Sequence, residues 1–258
     1  MEITELFKDS FNYAIKDWTK ILILGAFLIG FMILLFLTMS TIVLRQWIIT
    51  AILGLITIIF LLVVALIYNG YGLSIIKDTI NSADADLPEF DLANNLVDGL
   101  KVLIISIVYG LVPFIIGVIL ALVFGVFSDF VSVNAFNSPS AAFMQTSSAI
   151  FTVNIITMVL TILSTLLAFI AMARLAETGR LSSMFEFEEI FNTISNIGWG
   201  NYIAWFIIFY IIIVLIAFVT AFINFIPILG TIIFLLVIPG FLNIFKSRAI
   251  GLIYNESK

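Results

Sequence analysis

Six apolar segments, nearly empty of ionisable side chains, constrain this chain more than any other feature. They cover residues 19–44, 47–76, 102–127, 150–173, 200–225 and 228–245, and Lys20, at the edge of the first, is the only Asp, Glu, Lys or Arg within them. A helix rises 1.5 Å per residue, so about 20 residues cross a hydrocarbon core about 30 Å thick. The composition agrees. Of 258 residues, 63% are hydrophobic and 10% charged, whereas a soluble domain carries about 25% charged residues to clothe its surface. The fold class expected is an all-α membrane protein with six transmembrane helices in a single domain over residues 1–258. Residues 1–18 carry Glu2, Glu5, Lys8, Asp9, Lys16 and Asp17. A secretory signal has a short basic start before a brief apolar stretch, so the first apolar segment reads as a retained span.

Basic residues set the orientation. Lys8, Lys16, Lys20, Lys77, Lys101, Arg174, Arg180, Lys246, Arg248 and Lys258 all fall on one side of the six spans, and only Arg45 falls on the other. The positive-inside rule makes the first side cytoplasmic, with both termini, in the cell membrane. The outer connections are then a tight turn at Arg45-Gln46, a polar loop at about 128–149 and a tight turn at Pro227.

The same composition closes off several functions. The chain has no Cys and no His, which removes thiol chemistry, disulfides, imidazole catalysis and the usual zinc and haem ligands. A net charge of −5 offers nucleic acid no basic patch. Spans without ionisable groups argue against a proton relay or voltage sensor, since such groups within a bilayer are costly and functional. No residue stands out as catalytic, cofactor-binding or metal-ligating. The acidic run Asp78, Asp84, Asp86, Glu89, Asp91 and Asp98 lacks the glycine turn and alternation of a calcium loop, and reads as a solvated loop.

The chain divides into three similar units, about 1–83, 84–181 and 182–258. Each is expected to hold a cytoplasmic amphipathic helix followed by a membrane hairpin. The repeat motif is Asp17-Trp18-Thr19-Lys20 against Asp98-Gly99-Leu100-Lys101. The expected apolar stripes are Ile3, Phe7, Phe11, Ala14 and Trp18 in the first helix, and Leu92, Ala93, Leu96, Val97 and Leu100 in the second. In the third they are Phe187, Ile190, Phe191, Ile194 and Ile197, after a capping box at Ser183-Met184-Phe185-Glu186. Such helices suit the headgroup layer or a berth against the bundle. Small residues mark close helix packing: Pro113, Gly117, Ala121 and Gly125 recur every fourth position in span 3, and Ala26 and Gly30 lie in span 1. Pro113 and Pro239 are expected to bend spans 3 and 6. Buried polar candidates near these spans are Asn69, Asn154, Asn224 and Asn243. Lys77, Arg174 and Arg248, at the cytoplasmic ends of spans, read as topology anchors or as contacts for lipid headgroups.

Tyr71, Lys77-Asp78-Thr79, Leu87-Pro88-Glu89-Phe90 and Asp98-Gly99-Leu100-Lys101 together resemble the central signature of a family of multi-pass membrane proteins. That family is common in methanogenic archaea and is classed as a domain of unknown function. The layout also looks like the membrane portion attached to some glycerophosphodiester phosphodiesterases. The resemblance implies a polytopic protein of an archaeal membrane and transfers no catalytic residue.

These features lead to a non-enzymatic membrane scaffold that binds lipid, a protein partner or a second copy of itself, with no cofactor. The alternative is a transporter or channel for a neutral or amphiphilic solute, suggested by the repeats and prolines. A metal-dependent enzyme built on the acidic loop ranks third.

Overall fold

The computed structural model describes residues 2–82, 85–126, 139–223, 225–226 and 228–258, of which 139–147 by backbone alone. The helices are α1 (Ile3–Ala14), α2 (Trp18–Val43), α3 (Trp47–Asn81), α4 (Leu92–Val123) and α5 (Pro139–Thr178). After a short 3-10 helix (Leu181–Phe185) come α6 (Phe187–Ile197), α7 (Trp199–Ile223) and α8 (Leu229–Asn255). Six of these are long and apolar enough to cross a membrane, in agreement with the six segments read from the sequence. Asp84, Asn224, Pro227 and half of the expected polar loop lie outside the described residues.

The helices outrun the apolar segments because backbone hydrogen bonding follows the helix and not the lipid. α3 has 35 residues and is therefore about 52 Å long, well beyond a core of about 30 Å. Its last turns carry Lys77, Asp78 and Thr79. α8 likewise continues past the expected end at 245 to Asn255, and α5 begins at Pro139, earlier than expected.

The chain forms two compact units. One holds residues 1–103 and 170–258, with α8 at its centre in contact with α1, α2, α3, α6 and α7. Close approach there depends on glycine. A Cβ on Gly25 of α2 would lie 2.1 Å from the Leu236 carbonyl oxygen of α8, and one on Gly240 of α8 would lie 2.7 Å from that of Ile21. α3 and α4 meet in the same way, through Gly70 against Asn95 and Gly99 against Leu66. Without a hydrophobic drive between helices in lipid, such backbone contacts supply the attraction. An aromatic cluster fills the same unit. Phe7 of α1 stacks on Trp205 of α7 at 6.1 Å and on Phe245 of α8 at 6.0 Å. Trp205 and Tyr202 are fully buried.

The second unit, residues 104–169, holds parts of α4 and α5. Gly117 faces Thr157 there, whose hydroxyl would lie 3.0 Å from an added Cβ. Pro113 is buried inside an uninterrupted α4, and Ala121 is half-buried. Gly125 does not belong to this packing face: α4 has ended at Val123, and Gly125 turns the chain with φ 70°.

Three further expectations are corrected. The second repeat has no separate amphipathic helix, because α4 runs without a break from Leu92 into the span. Asp17 caps α2 by accepting from the Thr19 N–H at 2.9 Å, whereas Asp98 pairs with Lys101 at 2.6 Å inside α4. The stripe Leu92, Val97 and Leu100 faces outward, and Asn95, Gly99 and Val102 face inward, since only small residues allow the approach to α3. The expected capping box is also absent: the Ser183 hydroxyl donates to the Arg180 carbonyl, and α6 begins at Phe187 without a side-chain cap.

Candidate functional site

At the end of the first unit that holds the chain termini, two arginines grip the short helices. Arg248 of α8 has a side chain 3% exposed and donates from Nε to Asp9 Oδ1 of α1 at 2.7 Å. Its Nη1 reaches the Thr79 hydroxyl of α3 at 3.3 Å, and its guanidinium lies 4.5 Å over the Tyr13 ring. Burial pushes the Tyr13 hydroxyl up to about 12 despite the neighbouring Arg248 cation, so Tyr13 stays neutral as donor to the Asp86 carbonyl. Arg174 of α5 donates to Glu186 at 2.5 Å and lies 3.7 Å from Glu189 of α6. Arg248 and Arg174, read from the sequence as anchors or headgroup contacts, are thus both paired with carboxylates within the chain, while the buried Arg174 Nε has no hydrogen-bond partner among the described residues.

The clamps hold α1 and α6 with large side chains turned outward. α1 buries Leu6, Phe7, Ser10, Tyr13 and Ala14, while Phe11 and Trp18 are about half exposed. α6 buries Ile190, Thr193, Ile194 and Ile197, while Phe187, Phe191 and Trp199 remain exposed. Both buried faces are rotated from the stripes read in the sequence. Aromatic contacts to α7 and α8, and the clamps, set the rotation.

The four signature segments come together between α3 and α4. The Tyr71 hydroxyl donates to the Pro88 carbonyl at 3.3 Å, and the Tyr71 ring lies 5.7 Å from that of Phe90. Phe90 also stacks on Phe27 of α2. The acidic segment is fastened to the α1–α2 junction through Lys16 with Asp86 and Lys20 with Glu89 at 3.1 Å. The Lys16 ammonium holds the Asp86 carboxyl below its usual range. What results is a cleft of about 420 Å³. Ser74, Lys77 and Asp78 of α3 form one wall. Pro88, Glu89, Asp91, Asn94, Asn95 and Asp98 form the other.

Comparison with known sequences fits this convergence. The sequence profile of the family described as "Protein of unknown function (DUF4013)" matches residues 52–225. The chain belongs to that family. The match takes in every signature segment of the cleft and stops before α8, which supplies Arg248. No curated protein and no solved structure matches the chain.

Two further features complete this end of the DUF4013 chain. Lys246, expected at the surface, lines a hollow of about 10 Å³ with Asn69, Asn243 and Ser247, a volume suited to one water molecule. Lys246 makes no ion pair among the described residues. Asn243 donates to the Tyr68 carbonyl of α3 at 2.9 Å. No group of three or more Asp or Glu among the described residues is placed to hold a metal ion. Asp98 is taken by Lys101, Glu89 by Lys20, and Asp91 accepts from the Asn94 N–H at 3.1 Å at the start of α4.

Proposed function

We propose that this DUF4013 protein is a non-enzymatic scaffold of the cell membrane, with both termini cytoplasmic, that binds lipid or a protein partner at its terminal face. One observation carries the reading: the arginine clamps pin α1 and α6 so that Phe11, Phe187 and Phe191, with Trp18 and Trp199 at the starts of α2 and α7, point outward. Aromatic rings at this level favour the membrane–water interface. A short helix with one buried face and one aromatic edge suits that layer. The hollow at Lys246, about 10 Å³, is too small for a solute, which supports binding over passage.

Native mass spectrometry of the chain released from nanodiscs tests the proposal. Retained lipid or a stoichiometric partner is expected, and less of it after Phe187→Ser and Phe191→Ser together. Bare monomer from both proteins would contradict it.

A further inference from the structure

The clamps repeat a pattern that the third position leaves open. Arg248, at the end of the last span helix, closes on α1, and Arg174, at the end of α5, closes on the segment leading into α6. Lys77 holds the matching place at the end of α3, opposite the start of α4. It is exposed and forms no ion pair or hydrogen bond among the described residues. Asp78 and Asp91, which share the cleft with it, also lack a cation within ion-pair distance; burial raises the Asp78 carboxyl above its usual range, and the neighbouring Lys77 offsets only part of that.

Solvation alone would account for exposed charges, but it does not account for Asn95. This residue is 1% exposed, lines the cleft, and leaves its amide Nδ2 without a hydrogen-bond partner. A buried donor without an acceptor is costly. The asparagine is fixed there because its backbone lies against Gly70, where a Cβ would come within 1.8 Å of the Asn95 carbonyl oxygen. The cleft therefore presents two carboxylates without an ion-pair partner, Asp78 and an Asp91 that accepts from Asn94 through both oxygens, beside a lysine and an amide in need of an acceptor oxygen. Its volume of about 420 Å³ is in the range of small-molecule sites.

We infer that the cleft binds a small zwitterion, with the ammonium at Asp78 and Asp91 and the anionic oxygens at Lys77 and Asn95. The ammonium carries N–H donors, which carboxylates accept and a quaternary ammonium lacks. A free aminophosphate or amino acid and an aminophospholipid headgroup share this chemistry. The site is distinct from the aromatic rim, so it stands or falls independently of the scaffold proposal.

Titration calorimetry with O-phosphoethanolamine on the full chain in uncharged detergent is the test. Phosphocholine, spermidine and magnesium serve as comparison probes. Saturable binding of phosphoethanolamine is expected, about tenfold or more tighter than phosphocholine, because a quaternary ammonium donates no hydrogen bond. Asp78→Asn and Asn95→Ala should each weaken it about tenfold, and Glu5→Gln, exposed on α1 and outside the cleft lining, should leave it unchanged. If Asn95→Ala fails to fold, Asp78→Asn carries the test alone. Nanodiscs with and without phosphatidylethanolamine separate the sources. Competition by that lipid marks a headgroup site, and its absence marks a soluble ligand. Equal affinity for phosphocholine, tighter binding of spermidine or magnesium, no binding of phosphoethanolamine, or indifference to Asp78→Asn would overturn the inference.

Discussion

Arg248 Nε donates to Asp9 Oδ1 at 2.7 Å across 239 positions of chain, and this one contact ties the first helix to the last. Its energetics follow from burial. The Arg248 side chain is 3% exposed and that of Asp9 43%, so solvent screens part of the pair. Asp9→Ala leaves a buried guanidinium uncompensated and should destabilise the fold by about 2–3 kcal/mol. Asp9→Leu with Arg248→Met removes both charges and should cost less than Asp9→Ala alone. Thermal unfolding in detergent, followed by near-ultraviolet circular dichroism, measures the difference. Equal stability of Asp9→Ala and the parent would show that the clamp contributes nothing.

The glycine contacts predict a sharp positional contrast. Gly25→Ala places a methyl group onto the Leu236 backbone, which cannot move aside as a side chain would. A loss of about 1–3 kcal/mol is expected. Gly110 has nothing within 4 Å of an added Cβ, so Gly110→Ala should be neutral or gain up to about 1 kcal/mol from helix propensity. Matched unfolding curves decide the point, and a Gly25→Ala protein as stable as Gly110→Ala would refute the close packing of α2 on α8.

Lys246 offers the opposite case. It lines a one-water hollow and has no carboxylate partner among the described residues. An uncompensated ammonium in such a place costs stability that an apolar residue of similar length does not. Lys246→Met is expected to hold or raise the unfolding temperature. A marked fall would mean that the ammonium makes a contact essential to the fold.

The Lys16–Asp86 pair gives a pH signature. Asp86 is depressed first by the hydrogen bond from Lys16 and then by its charge. A depressed carboxylate contributes its share above the ordinary Asp range and loses it as pH falls through the lowered value. In a carbon-detected titration, Asp86 should titrate below the ordinary Asp range, and Lys16→Ala should return it there. Both groups are exposed, so the shift should shrink in high salt. A midpoint indifferent to Lys16→Ala would contradict the contact.

Trp18 and Trp199 are about half exposed, whereas Trp205 is fully buried. In single-tryptophan proteins reconstituted in vesicles, lipids brominated near the headgroup should quench Trp18 and Trp199 strongly and Trp205 weakly. Equal quenching of the three would remove the interfacial placement of α1 and α6.

Much of the architecture was legible because lipid imposes a simple rule on sequence. The six spans and the tight turn at Arg45-Gln46, closed by Gln46 N–H to Thr41 O at 2.9 Å, depend on local residues. The rotation of α1 was not legible, since Phe11 and Leu6 are equally apolar and the inward face depends on distant residues such as Trp205 and Phe245, on which Phe7 stacks. The roles of Arg174 and Arg248 were hidden for a related reason: a basic residue at a span end looks alike whether it meets phosphate or a distant carboxylate. Asn95 gave no signal at all beside the charged residues of its loop. The signature segments did point to the cleft, because residues from Tyr71 to Lys101 are close enough in sequence to be read as one motif.

The proposed function places the termini, the cleft and both clamps on one face of the membrane, and the chain's lack of cysteine allows this to be measured directly. Single cysteines at Asn12, Asn94, Ser257 and Gln46 can be labelled with a membrane-impermeant maleimide in right-side-out and inverted vesicles. Asn12→Cys, Asn94→Cys and Ser257→Cys should react only in inverted vesicles, and Gln46→Cys only in right-side-out ones. Reaction of Gln46→Cys from the same side as Asn94→Cys, or of either terminus from the outside, would contradict the six-span arrangement and the face on which its binding surfaces are placed.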